Sequence, residues 1–90
     1  MKIVEGFLLR KIVDDWIVVP IGESTGKNRS ILSLNESSAL LWESLETGSD
    51  EDALTAVLCG TYLVDEETAR VGVSKFLRTL DEMGILLKDQ

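Results

Sequence analysis

Ser30-Ile31-Leu32-Ser33-Leu34-Asn35-Glu36-Ser37-Ser38-Ala39-Leu40-Leu41-Trp42 is where the chain changes period, and that change decides the fold. Leu32 and Leu34 are two apart, so they share one face of a strand. Asn35 then offers a side-chain oxygen to the free N–H groups of a first helical turn. Glu36 adds a negative charge where the helix dipole favours one. Ala39, Leu41, Trp42 and Leu45 recur near helical spacing until Gly48 stops the run.

On the amino-terminal side, residues 7–13 and 16–21 are two β-rich runs separated by Asp14-Asp15, which reads as a hairpin. Pro20 lacks an N–H and marks a strand end or an edge. Residues 22–29 form a polar loop with two glycines. On the other side, Ser49-Asp50-Glu51-Asp52 resembles a capping box, and Leu54, Val57 and Leu58 make the stripe of a second helix ending near Gly60. Tyr62, Leu63 and Val64 connect it to Asp65-Glu66-Glu67-Thr68, an acidic start for a third helix. At about 100° per residue, Ala69, Val73, Phe76, Leu77, Leu80 and Met83 fall on one face of that helix. Gly84 ends it, and Ile85-Leu86-Leu87 suits a last short strand. The class is α+β: a winged helix-turn-helix-like domain of three antiparallel strands, three helices and a short carboxy-terminal strand.

The charge is acidic, with 9 Lys+Arg against 16 Asp+Glu and a net charge of −7. The imbalance sits in the helical part, since residues 31–60 carry six acidic side chains and no basic one. Phosphate backbones and anionic membranes demand the opposite sign. There is no histidine and a single cysteine, Cys59, so an imidazole base, an internal disulfide and a thiolate metal cluster are all excluded. Neither a secretory signal nor a stretch approaching eighteen apolar residues is present. These features indicate a cytoplasmic protein that is not an enzyme, with no metal and no cofactor.

Motif by motif, chemistry gives way to packing. Gly22-Glu23-Ser24-Thr25-Gly26-Lys27 resembles a phosphate loop, but it has three residues between the glycines where four are needed. Asn28 stands where Ser or Thr would hold Mg²⁺. Asp14 and Asp15 are adjacent on extended chain and point apart. The acidic runs at 50–52 and 65–67 lack the alternating ligands of a calcium loop and suit helix starts. Cys59 reads as a buried structural thiol. Trp16 and Trp42 read as core packing, with an apolar groove as the alternative.

Two features point to binding. Val71 lies opposite the apolar face of the third helix, flanked by Lys75 and Arg78. This small basic and apolar patch suits an acidic, partly apolar peptide. The third strand, Ser30, Ile31, Leu32, Ser33 and Leu34, has no charge and no proline, the usual guards of a sheet edge. At an edge beside a helix it would accept a peptide as an added strand.

The ordered set of an amino-terminal hairpin, Leu34-Asn35-Glu36, Ala39, Leu41-Trp42-Glu43-Ser44-Leu45, Tyr62, Val64-Asp65, Phe76-Leu77, Leu80 and Gly84-Ile85-Leu86 resembles the PqqD family, named for pyrroloquinoline quinone synthesis. The resemblance runs from about residue 7 to residue 87. It implies one domain over residues 1–90, a RiPP recognition element. Such a domain binds the leader of a ribosomally made precursor peptide and presents it to a modifying enzyme, often of the radical SAM type. It further implies a leader strand added to the third strand and lying against the third helix, touching Ser30, Ile31, Leu32, Ser33, Leu34, Val71, Lys75 and Arg78. The rival readings are a structural or dimerising subunit, paired through exposed strand edges, and a winged-helix DNA-binding regulator.

Overall fold

The computed structural model describes residues 1–21 and 32–88. The order is β1 (Lys2–Ile3), β2 (Phe7–Ile12), β3 (Asp15–Pro20), β4 (Leu32–Leu34), α1 (Glu36–Glu46), α2 (Glu51–Thr61), α3 (Glu66–Glu82) and β5 (Leu86–Leu87). Strands β2, β3 and β4 form an antiparallel sheet in that order, and β1 pairs with β5 in a separate two-stranded sheet. The α+β class and the strand–helix–strand order are as read from the sequence; β1 is an addition to it.

Each helix begins on the same device. The side chains of Asn35, Asp50 and Asp65 accept from the backbone N–H groups of Ser38, Ala53 and Thr68 at 2.8, 2.7 and 3.0 Å. Each satisfies one of the four donors a helix start leaves open. Helix α3 ends at Met83 and Gly84, where φ of 74° is open to glycine and costly to other residues.

The hairpin differs from its sequence reading in one detail. The register pairs Ile12 with Asp15, so the two-residue turn is Val13-Asp14, one position earlier than Asp14-Asp15. Val13 takes φ of 60°. A positive φ at this position suits the right-handed twist of a two-residue hairpin, although the turn favours glycine there.

The core is built around Trp42, Leu45, Leu54, Val73, Leu80 and Ile85, all essentially inaccessible. Trp42 Nε1 donates to Glu46 Oε2 at 3.2 Å, so the ring is buried without orphaning its N–H. Val18 is buried in the sheet, and Phe7, Leu9, Leu32 and Leu34 pack against the helices from the same face. Cys59 is exposed, correcting the buried-thiol reading. The inward face of α2 carries Leu54, Thr55 and Leu58, and Cys59 is one residue round the helix from it. Buried Thr55 donates its hydroxyl to the Glu51 carbonyl at 2.8 Å, so it enters the core with its polar group satisfied.

Candidate peptide-binding groove

Among the described residues, strand β4 pairs on one side only, with β3, through Trp16–Leu34, Ile17–Ser33 and Val18–Leu32. Its other edge borders a trough whose opposite wall is α3. Leu32, Ser33 and Leu34 form one wall, and Gly72, Lys75, Phe76 and Thr79 form the other. The floor is Ser38 and Leu41 of α1 with Leu58 of α2. The trough encloses about 350 Å³. That is at the small end of the roughly 300–1,000 Å³ of ligand sites, and its strand-lined wall suits an extended chain. It meets a second depression of about 460 Å³ at Asn35, Ser37 and Leu58, which continues past Tyr62 and Val64 to Thr68 and Ala69.

The α3 wall follows from helix geometry. Positions 72, 75, 76 and 79 have the i, i+3, i+4, i+7 spacing of one helix face, adjoining the core face that holds Val73, Leu77 and Leu80. Gly72 keeps that wall low, because a Cβ built on it meets no atom within 4 Å. Among the described residues, Lys75 is the only charged one lining the β4–α3 trough, and none of them forms an ion pair with it. The trough therefore offers backbone donors and acceptors, apolar floor and one cation.

Of the residues singled out in the sequence, the structure brings Leu32, Ser33, Leu34 and Lys75 together. Ser30 and Ile31 lie outside the described residues, as does the phosphate-loop resemblance at 22–27. Val71 and Arg78 line a separate shallow depression with Glu51, Glu67, Arg70 and Ser74; Lys75 borders both. Helix α3 is held there by Ser74 Oγ donating to Glu51 Oε2 at 3.0 Å, and by Arg70 bridging Asp52 and Glu66 at 2.8 and 2.9 Å. These two carboxylates hold the Arg70 guanidinium above its ordinary pKa, Asp52 being the larger influence, and they occupy its charge. Gly72, Phe76 and Thr79 were missed as groove residues. A glycine inside an otherwise regular helix was the available signal, since it costs helix stability unless the missing side chain serves a purpose. Among the described residues no cluster of His, Cys, Asp or Glu is arranged to hold a metal, and no helix is long and apolar enough to cross a membrane.

A family model described as Coenzyme PQQ synthesis protein D (PqqD) matches residues 16–86. No curated protein matches the chain. Two solved structures share its fold over nearly their whole length. One is TbiB1 in complex with the TbiA(beta) leader peptide, with TM-score 0.79 and 22% identity over 100% of this chain and 99% of that one. The other is lasso peptide synthetase B1 complexed with the leader peptide, with TM-score 0.76 and 18% identity over 97% of this chain and 96% of that one.

Proposed function

This chain belongs to the PqqD family, and from that premise we propose that it is a non-catalytic module that binds the leader of a ribosomally made precursor peptide and presents it to a modifying enzyme. The observation that carries the reading is that β4, among the described residues, pairs only with β3 and borders a trough walled by α3. An extended leader adds there as a fourth strand of the β2–β3–β4 sheet. Main-chain hydrogen bonds to β4 supply affinity in any sequence, while alternate leader side chains facing the trough supply selectivity. Two structures of the same fold carry leader peptides, which supports the role. Lys75, the one charge lining the trough among the described residues, favours a leader with an acidic residue among apolar ones. Val71 and Arg78 serve as the outer shoulder of α3, met only by a side chain long enough to cross the helix. The modifying enzyme is of the radical SAM type, and the exchange takes place in the cytoplasm, where the precursor is made.

The test is a titration of ¹⁵N-labelled protein with synthetic peptides spanning the leader of a precursor encoded beside this chain. Amide shifts concentrated at Leu32–Leu34 and at Gly72, Lys75, Phe76 and Thr79 are expected. Lys75→Glu should weaken an acidic leader by about 3- to 10-fold, and the loss should shrink as salt rises. Saturable binding with shifts confined to α1 or β2 would remove the groove assignment. No binding by any such leader would remove the function.

A further inference from the structure

The face of the β2–β3–β4 sheet that points away from the helices is apolar over much of its described area. Leu8, Arg10 and Ile12 of β2 point to that side, with Val19, Ile17 and Asp15 opposite them on β3. Leu8 and Ile12 are 37% and 54% exposed, Ile17 and Val19 are half-buried, and none of the four packs against the helical core. Arg10 and Asp15 are exposed on this face, and neither has an ion-pair partner among the described residues.

The arrangement of these residues selects an occupant. The register pairs Arg10–Ile17 and Ile12–Asp15 form a four-cornered patch with Arg10 and Asp15 on one diagonal and the two isoleucines on the other. We propose that this face is the interface of a two-fold homodimer. A two-fold axis lying between two such faces, along the isoleucine diagonal, exchanges the charged corners. It lays each Arg10 on the Asp15 of the second copy and brings Ile12 and Ile17 against their own counterparts at the centre. The result is an apolar centre flanked by two opposite-charge pairs, the pattern of a self-complementary interface. The strands of the two sheets then cross steeply, one of the two ways in which sheets stack. Stacking by faces leaves the free edge of β4 open, so each copy keeps its trough.

The chain itself provides the test, by sedimentation equilibrium from about 10 µM to about 1 mM at low salt, a range that captures weak association. The parent should pass from monomer to dimer. Arg10→Asp leaves acidic groups at both charged corners and Asp15→Arg leaves basic groups at both, so each variant repels its own copy. Each should weaken dimerisation by at least about tenfold. An equimolar mixture of the two has opposite charges at every contact and should regain association to within about threefold of the parent. Both substitutions lie on an exposed sheet face, and circular dichroism identical to the parent's would establish that both variants are folded. A parent that stays monomeric overturns the proposal and assigns the face to a different protein. So do single variants that dimerise like the parent, as pairing through strand edges would allow, and so does a mixture no tighter than its components. Leader binding should be equal in all three proteins, which keeps this outcome separate from that of the peptide titration.

Discussion

Gly72 concentrates the conflict between stability and binding in one residue. In the interior of α3 a glycine is less favourable than alanine by about 0.5–1 kcal/mol, and the space beside it is empty. Gly72→Ala should therefore stabilise the fold by about that amount, raising the midpoint of thermal unfolding by several degrees, as differential scanning calorimetry would record. Gly72→Trp should fold as well and yet fill the trough between α3 and β4, with peptide affinity falling by more than about tenfold in a calorimetric titration. A tryptophan variant that binds like the parent would place the peptide elsewhere. Phe76 is ambiguous in another way. Its place on the apolar face of α3 was legible in the sequence, but its outer edge lines the trough. Burial in the core and contact with a ligand make the same demand on a side chain, so hydrophobic periodicity alone cannot separate them.

The three helices share an electrical design at the level of the element. Each starts with acidic residues, Glu36, then Glu51 and Asp52, then Glu66 and Glu67, and none carries a basic residue in its last turn. At the start of α3 the side chain and backbone N–H of Thr68 donate to Asp65 and hold its carboxyl below the ordinary 3.8. A lowered folded-state pKa stabilises the fold above the unfolded value, and that contribution is lost as pH falls through the folded one. Asp65→Asn keeps a cap and removes the charge. Chemical denaturation should thus find the parent more stable than this variant near pH ~6, with the gap closing near pH ~2. A gap of constant size would mean that charge has no part in the cap. These capping residues made the helices readable, because a cap is a local event involving side chain and backbone three residues apart. The turn at Val13-Asp14 was misplaced by one residue because turn propensity ranked aspartate above valine. The cross-strand register, a tertiary outcome, set the turn instead. Helix periodicity identifies the exposed arc of α3 that holds Val71, Lys75 and Arg78, but not which side of that arc β4 approaches.

The molecule as a whole is broad and thin, with extents of 39 × 37 × 20 Å. Its radius of gyration of 12.9 Å compares with about 12 Å for a compact chain of this length. The molecule is fastened by a pairing that no local pattern in the sequence could announce, Lys2–Leu87 and Ile3–Leu86. Around it Val4 donates to the Ile85 carbonyl, and Met1 and Ser49 exchange backbone hydrogen bonds at 2.7 and 2.8 Å. This clasp joins residues more than eighty positions apart, so it must bear a large loop-closure entropy unless the helices have already drawn its two halves together. It should close last on the folding path. Ile3→Ala, which empties a 7% exposed site, should cost about 2–3 kcal/mol of stability. Stopped-flow kinetics should find nearly all of that loss as faster unfolding, with the refolding rate little changed. The β1–β5 pair would then act as a latch on lifetime, governing how long the folded state persists and leaving the speed of its formation to the helices.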